Sequence, residues 1–481
     1  MNLKIVGYVL GHLLIFMGLL DISCIPFSLY FHDNSLQALI FSFMITIVCG
    51  GLLIFTCKCD DEIGIKEGFG IVTFGWVAAA AFGGLPYMFC NMQFSFTEAF
   101  FETMSGLTTT GATVLTNIEV EQPAILFYRS LTHWIGGLGI IVLSLAILPT
   151  LGVGGMQLFR AEVPGPTHDK LTPRVADTAK ILWKVYIILT FIQIFLLMLG
   201  GLGFYDSICH TFATLATGGF STKNASILHF NSAYVDYVLL FFMFLAGVNF
   251  TIHYKLIFNR DFSALKDPEF LFFLTITVLS ILFILANVYF SGIYDSLSKA
   301  LQYVSFTVVS IVTTTGFATA DYEAWPVFSQ FILLILMFIG GSAGSTGGGM
   351  KCIRIMLILQ VIRAEFHRLV HPRAFIEIKI NNKIIPKEVV RAVISFFCLY
   401  ICLFVFFTGV ICLLRVDLIT SIATVAATLG NIGPGLNLIG PTDNYAHLPF
   451  LAKWICSFCM LLGRLELVTV LILFSPEIWK K

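Results

Sequence analysis

Charge is scarce in this sequence. Only 12% of its 481 residues are Asp, Glu, Lys or Arg, against about 25% in an average soluble domain. Acidic and basic residues balance to a formal net charge of zero, so no global basic field is present to attract nucleic acid. The shortage of charge excludes an ordinary soluble fold and argues against a nucleic-acid partner.

Patterns that carry enzyme or metal chemistry are missing as well. The twelve cysteines lack metal-ligand and disulfide spacing; Cys57 and Cys59 form a C-x-C without a partner pair, and we interpret them as small apolar side chains. No H-E-x-x-H, G-x-S-x-G or phosphate-binding loop after a strand is found. We therefore expect neither an enzyme nor a covalent cofactor.

Hydrophobic residues make up 58% of the chain, and Phe alone occurs 48 times. They form runs long enough to cross a bilayer, which takes roughly 20 helical residues. The first run contains Asp21 and lacks a small-residue cleavage site, so we interpret it as a retained helix rather than a signal peptide. The chain is thus predicted to lie in membrane lipid with ten spans, near 5–29, 37–57, 68–90, 130–152, 181–203, 235–257, 270–290, 327–349, 391–413 and 450–474.

Basic residues set the orientation. An even number of spans places both termini on one side, and Lys and Arg concentrate in the connectors 159–184, 255–266 and 351–391. Cytoplasmic loops carry this excess, so these connectors and both termini are predicted to be cytoplasmic. The last connector either docks a partner or only determines topology.

A fourfold repeat stands between the spans on the outer side. The segments 109–113, 217–221, 314–318 and 428–432 each begin Thr-x-Gly, at intervals of roughly 100 residues. Each follows a short apolar stretch, and a full span lies on either side. The predicted fold is an all-α integral membrane protein with four span–pore loop–span units around one central pore. Its parts are two extra helices at 1–60 and repeats at 61–160, 161–262, 263–370 and 371–481.

Short half-helices are predicted to lead into these loops. Glu98, Asp206 and Asp417 each precede the loop glycine by thirteen residues, and negative charge is favourable at a helix N-terminus. Asp295 lies 21 residues before Gly316. The third half-helix is therefore either longer or starts later.

The loop chemistry suits a potassium ion. Rings of backbone carbonyls replace hydration water without a fixed negative charge that would trap the ion. Glycine adopts the required backbone angles cheaply, and the half-helices direct their negative C-terminal ends toward the pore. Alternatively, the glycines only permit close packing. The candidate potassium-binding filter residues are Thr110, Gly111, Gly218, Gly219, Thr315, Gly316, Leu429, Gly430 and Asn431.

A longer motif carries a family resemblance. Residues 129–139 read Arg-Ser-Leu-Thr-His-Trp-Ile-Gly-Gly-Leu-Gly, followed by Leu148-Pro149 and Gly-Val-Gly-Gly at 152–155. Through these residues and the four loops, this chain resembles the TrkH/TrkG/KtrB/HKT superfamily of potassium transporters. Its two extra helices before the first repeat resemble the TrkH type and not the shorter KtrB chains. The resemblance implies a bacterial inner-membrane homodimer, with one pore per subunit, gated by a cytosolic nucleotide-binding TrkA ring. Plant relatives that transport sodium carry serine at the position of Gly111. The resemblance therefore implies that glycine at this position favours potassium.

Two features inside predicted spans are gate candidates. A glycine-rich run should break the eighth span, since each interior glycine costs about 1 kcal/mol relative to alanine; the resemblance implies a blocking intramembrane loop here, and the alternative is a helix-packing surface. Arg464 either faces the pore as a positive barrier, or pairs with Glu466, or reaches the interface. The candidate gate residues are Gly340, Gly341, Gly344, Gly347, Gly348, Gly349 and Arg464.

Two functional hypotheses stay open. The first is a gated potassium channel or channel-like uptake subunit, and the second is a transporter coupled to sodium or protons. Coupling usually needs clustered intramembrane carboxylates, and Asp21, Glu98 and Glu466 form no cluster. His133 and Trp134 are interpreted as an interfacial packing pair rather than a proton relay.

Overall fold

The computed structural model describes residues 1–59, 63–90, 94–147, 175–373, 377–380 and 383–480, so most of the connector 159–184 and the motif residues 148–155 lie outside the described part. The described chain is mostly helical, and its strands are an antiparallel pair of two residues each, β1 (Lys379–Ile380) and β2 (Lys383–Ile384). Its helices are α1 (Leu3–Phe31), α2 (Leu36–Thr56), α3 (Ile65–Gly83), α4 (Leu85–Phe89), α5 (Phe96–Leu107), α6 (Pro123–Ile147), α7 (Val175–Leu199), α8 (Phe204–Leu215), α9 (Ala233–Gly247), α10 (Phe250–Phe258), α11 (Pro268–Phe290), α12 (Leu297–Val312), α13 (Val327–Phe338), α14 (Cys352–Val370), α15 (Lys387–Leu413), α16 (Leu418–Leu429), α17 (Phe450–Arg464), α18 (Val468–Leu471) and α19 (Pro476–Trp479).

The first two helices form a closely packed hairpin. A side chain on Gly11 or on Gly50 would run into the backbone carbonyl of the other glycine, and such small-residue contacts let membrane helices approach closely. Buried Asp21 accepts a hydrogen bond from Ser42 at 2.7 Å across the same hairpin. The two extra helices are therefore held by packing and by a polar contact.

Within the described residues, six helical segments are long and apolar enough to cross a membrane, or eight if each of two bent pairs is one span. The six lie at the predicted spans 5–29, 37–57, 68–90, 181–203, 270–290 and 391–413. Helix α6 starts seven residues before the predicted span at 130–152. Large apolar side chains point outward on these helices, such as Phe55 and Phe290, which are more than four-fifths exposed, as expected for a surface facing lipid.

The stretches predicted as spans at 235–257 and 450–474 are not continuous helices. The chain bends by 104° between α9 and α10 and by 112° between α17 and α18. Helix α6 kinks at Gly139, where φ is +76°, and α13 ends at Phe338, before the glycine-rich run that was predicted to break it. The helix following each half-helix is thus interrupted.

Four short helices, α5, α8, α12 and α16, are the predicted half-helices, and we number them first to fourth. Three have 12 residues and the third has 16, so the third is longer. Ser95 and Glu98 form a capping box on the first, Ser296 caps the third and Asp417 caps the fourth. The C-terminal halves of all four are buried.

Candidate functional site

The chain leaves each half-helix with the same backbone conformation. One cap residue is followed by a residue other than glycine in the left-handed region, then by one more residue, then by a glycine with positive φ. The left-handed residues are Thr109 (53°), Thr217 (55°), Thr314 (60°) and Asn431 (54°), and the glycines are Gly111 (81°), Gly219 (78°), Gly316 (82°) and Gly433 (96°).

The fourth loop therefore differs from its predicted alignment by three residues. Gly430 caps α16 with φ −80°, and the structural counterpart of the other three glycines is Gly433. The backbone hydrogen bonds agree, since Ile432 N donates to Ala427 O at 2.8 Å as Thr110 N donates to Ser105 O at 2.9 Å. The alignment of Thr428, Leu429 and Gly430 with the other Thr-x-Gly segments is wrong.

The four loops meet in a closed ring, in chain order. A side-chain carbon added at Gly111 would run into Gly218 O, one at Gly219 into Thr315 O and one at Gly316 into Ile432 O. One at Gly433 would lie 2.6 Å from Thr110 O. Each glycine thus lies against the carbonyl that precedes the glycine of the next loop. We call Thr110–Gly111, Gly218–Gly219, Thr315–Gly316 and Ile432–Gly433 the ring.

Hydroxyl groups support the ring in the first and third loops. Thr110 Oγ1 lies 2.8 Å from Thr108 Oγ1, and Thr315 Oγ1 lies 2.8 Å from Thr313 Oγ1. Asn431 Nδ2 donates to Thr110 Oγ1 at 2.9 Å and so joins the fourth loop to the first. The second loop has Gly218 in place of a threonine and needs another support.

His133 fills that place. It is fully buried rather than interfacial, and its imidazole stacks on Phe220 with ring centroids 4.0 Å apart. A side-chain carbon at Gly218 would lie 2.5 Å from His133 Cγ. The imidazole therefore occupies the space that a threonine side chain takes in the first and third loops.

We expect Gly218→Thr to lower the melting temperature of the purified protein, because overpacking costs typically 1–3 kcal/mol. The double variant Gly218→Thr/His133→Gly should lose less stability than the sum of the losses in the two single variants. Thermal unfolding of all three variants measures this coupling. Gly409→Thr, where the added atoms meet open space, is the control; additive effects at 133 and 218 would contradict the assignment.

A glycine-rich segment, residues 339–351, lies directly beneath the ring. Its ends pair with each other, Gly340 N donating to Met350 O at 2.9 Å. Gly344 and Gly349 have positive φ. A side chain on Gly340 would run into Gly348 O, and one on Gly341 would lie 2.7 Å from Gly247 O. The run of glycines is thus required for close approach.

The glycine segment lies across the C-terminal ends of three half-helices. Thr346 Oγ1 donates to Leu215 O of the second at 2.9 Å. Gly348 N donates to Thr314 Oγ1, just beyond the third, at 2.6 Å. A side chain on Gly348 would lie 2.5 Å from Gly430 O at the end of the fourth. Gly430 therefore contacts this segment, below the ring.

Arg464 connects the segment to the first repeat. Its guanidinium donates to Thr346 O at 2.9 Å and to the carbonyls of Gly136 and Gly137 on α6. Glu466 pairs with Arg354 rather than serving as the predicted alternative partner of Arg464. The ammonium of Lys351 donates to Gly347 O. Lys351 and Arg354 are thus bound inside the protein.

Three buried carboxylates were missed from the sequence, Glu102, Asp236 and Glu269, and two of them lie at the candidate site. Glu269, at the start of α11, accepts hydrogen bonds from Ala343 N at 2.6 Å and Ile353 N at 3.1 Å, and so holds both ends of the glycine segment. Glu102 of α5 is completely buried, whereas Glu98, the residue singled out from the sequence, is partly exposed and pairs with Lys453. The signal that could have identified them is the presence of an acidic residue within an apolar helix.

Comparisons with known proteins agree on one family. The TrkH family model, described as "Cation transport protein", matches residues 35–481. The chain is 42% identical over 458 residues to the Trk system potassium uptake protein TrkH of Salmonella typhimurium, covering 94% of each chain. It is 41% identical to TrkH of Halomonas elongata and covers all of both chains. The crystal structure of the potassium transporter TrkH from Vibrio parahaemolyticus superposes with a TM-score of 0.90 at 37% identity, covering all of both chains.

Proposed function

Because the chain belongs to the TrkH family of cation transport proteins, we propose that it takes up potassium through the ring formed by its four loops. It is a multi-pass helical membrane protein and a transport protein rather than an enzyme. The observation that carries the proposal is the closure of the ring, in which each glycine packs against the preceding carbonyl of the next loop.

The proposed filter uses backbone oxygens. An ion entering the ring exchanges hydration water for the carbonyls of Thr110, Gly218, Thr315 and Ile432. The half-helices direct their negative C-terminal ends toward the space below, which lowers the cost of holding a cation there. Gly111, Gly219, Gly316 and Gly433 allow the loops to approach closely enough to close the ring.

The proposed gate is the glycine segment with Arg464. The segment lies against the C-terminal ends of the half-helices, where a permeating cation would be stabilised. Arg464 and Lys351 place positive charges on its backbone carbonyls. Permeation therefore requires the segment to leave this position.

The buried carboxylates favour a channel over a coupled transporter. Glu102 contacts Arg129, Glu466 pairs with Arg354, and Glu269 accepts two backbone amides. Each of these three carboxylates therefore has a structural role in this conformation, and buried Asp21 and Asp236 accept hydrogen bonds from Ser42 and Gln302. Coupled transport instead needs carboxylates that exchange an ion.

The assembly belongs to the same proposal. The relatives named as Trk system proteins support a multi-component membrane system, and we propose that it lies in the bacterial inner membrane. We extend the proposal to a homodimer with both termini cytoplasmic, controlled by a cytosolic nucleotide-binding TrkA-type ring. In this proposal each chain consists of the two extra helices at 1–60 and four pore repeats at 61–160, 161–262, 263–370 and 371–481.

Current through the purified protein in liposomes under opposed potassium and sodium gradients tests the filter. Wild type should reverse near the potassium equilibrium potential, and Gly111→Ser should move the reversal potential toward sodium, because the added side chain displaces Gly218 O. Gly409→Ser, in open space on α15, should leave it unchanged. A wild type without potassium preference would return the coupled-transporter hypothesis to first place.

A further inference from the structure

We propose that the buried pair Glu102–Arg129 is a positioning pair that sets the potassium-over-sodium selectivity of the ring. It does so by fixing the second loop relative to the first. This inference rests on the proposed function, since it assumes that the ring is the filter. The pair lies behind the ring and contacts both loops, and neither side chain is one of the ring residues.

Glu102 holds the outgoing part of the first loop. It lies in the first half-helix, and its carboxylate accepts hydrogen bonds from Thr113 Oγ1 and from Val114 N, both at 2.9 Å. Thr113 and Val114 follow Gly111 by two and three residues. The carboxylate therefore joins the chain on both sides of the ring in the first loop.

Arg129 extends this contact to the second loop. From α6, its Nε donates to Glu102 Oε1 at 2.6 Å, and its Nη1 donates to Ser221 O at 3.0 Å. Its guanidinium carbon also lies 3.5 Å from the centre of the Phe220 ring. Phe220 and Ser221 directly follow Gly219, so one planar guanidinium bridges the two loops.

The planar arrangement of the guanidinium donors makes this bridge specific to arginine. Arginine presents several donors in one rigid plane, whereas lysine offers a single ammonium group on a flexible stem. The side chains of Arg129 and Glu102 are 3% and 0% exposed. At this depth a charged hydrogen bond is little weakened by solvent, and both loops are held in one relative position.

Among the described residues, hydrogen bonds between neutral groups join the other neighbouring loops, and a second ion pair, Lys453–Glu98, joins the fourth repeat to the start of the first half-helix. Ala318 N donates to Ser226 Oγ at 3.2 Å between the second and third loops. Tyr322 donates to Gly435 O at 2.7 Å between the third and fourth loops. Tyr445 N donates to Thr113 O at 2.8 Å, and Asn431 contacts Thr110 between the fourth and first. The junction with the ion pair includes the second loop, which has Gly218 where the first and third loops have Thr110 and Thr315.

A displacement at this junction changes the spacing of the carbonyls of Thr110 and Gly218. Potassium and sodium differ in the carbonyl arrangement that best replaces their hydration shells. Loosening the pair should therefore alter discrimination between the two ions before it abolishes conduction. A purely structural role predicts loss of folded protein at unchanged selectivity.

Reversal potentials in liposomes test the proposal with Glu102→Gln and Arg129→Lys. Both variants should lower the potassium-to-sodium permeability ratio by roughly tenfold, the change expected from losing one hydrogen bond to a charged group, while conduction persists. Glu98→Gln is the matched control, because it breaks the pair with Lys453 at 3.0 Å on the same half-helix. Its ratio should equal that of wild type.

The outcomes separate this proposal from the proposed function. A potassium-selective wild type whose ratio is unchanged in both folded variants overturns the positioning pair alone. A wild type without potassium preference overturns the filter and this inference with it. If both charge variants fail to fold, Thr113→Val decides, since it removes one hydrogen bond to Glu102 and keeps the ion pair; an unchanged ratio there also overturns the proposal.

Discussion

Gly433→Ala is expected to abolish potassium uptake, lowering flux by about a hundredfold through left-handed strain and backbone overlap combined. Gly433 has φ +96°, where a side-chain carbon is strained in itself. The added carbon would also lie 2.6 Å from Thr110 O and 2.9 Å from Gly111 C. Both contacts are with the backbone of the first loop, which moves only if the ring opens. Potassium flux into liposomes, and growth of a potassium-uptake-deficient bacterium at low potassium, measure the effect.

Gly292→Ala provides a matched control for this variant. Gly292 also has positive φ, +73°, but an added carbon there meets nothing within 4 Å. It shares the backbone strain and lacks the overlap with the ring, so uptake should persist. Normal flux through Gly433→Ala would contradict the structural register of the fourth loop and the closure of the ring.

The fourth loop shows what a sequence pattern cannot decide. Thr428-Leu429-Gly430 matches the Thr-x-Gly pattern, yet Gly430 is a helix cap and Gly433 closes the ring. A cap glycine and a ring glycine look the same in one sequence, because the difference is the approach of a distant backbone. The first three loops were predicted in the register that the structure shows.

Elements with a local cause were predicted well. Apolar runs of sufficient length gave six of the spans, and the glycine-rich run between α13 and α14 broke its helix as expected. The bends after Gly247 and Arg464 were missed, since no comparable run of helix-breaking residues marks either position. At the second bend, Gly463 packs against Leu429 O. This contact joins two separate helices, so the local sequence does not reveal it.

Buried charges were the least predictable part of the site. Glu102 and Arg129 are 27 residues apart, and Arg354 and Glu466 are 112 apart. Composition shows that charge in such a chain is rare and costly, but the choice of partner depends on tertiary packing. Sequence therefore pointed to Arg464 as unusual without showing that its donors face the carbonyls of Thr346, Gly136 and Gly137.

Arg464→Met should raise basal potassium flux through the purified protein by about tenfold or more, since hydrogen bonds from a charged group contribute roughly 1.5–3 kcal/mol each. Arg464 holds Thr346 of the glycine segment against α6, and methionine keeps the length of the side chain without donors. The segment is then less stable beneath the ring, and the positive charge that opposes a cation there is removed. Flux of a potassium tracer into liposomes measures the change.

Arg363→Gln is the charge-loss control for this gate experiment, because Arg363 is exposed on α14, away from the glycine segment. It should leave basal flux unchanged, so that an increase in Arg464→Met reports on the contact rather than on net charge. Glu269→Gln should act in the same direction as Arg464→Met and more weakly, since Ala343 N and Ile353 N both donate to Oε1, which the glutamine amide oxygen replaces without the charge. Unchanged or reduced flux in folded Arg464→Met would show that this arginine does not hold the segment closed, and the proposed gate would then depend on Glu269 and Lys351 alone.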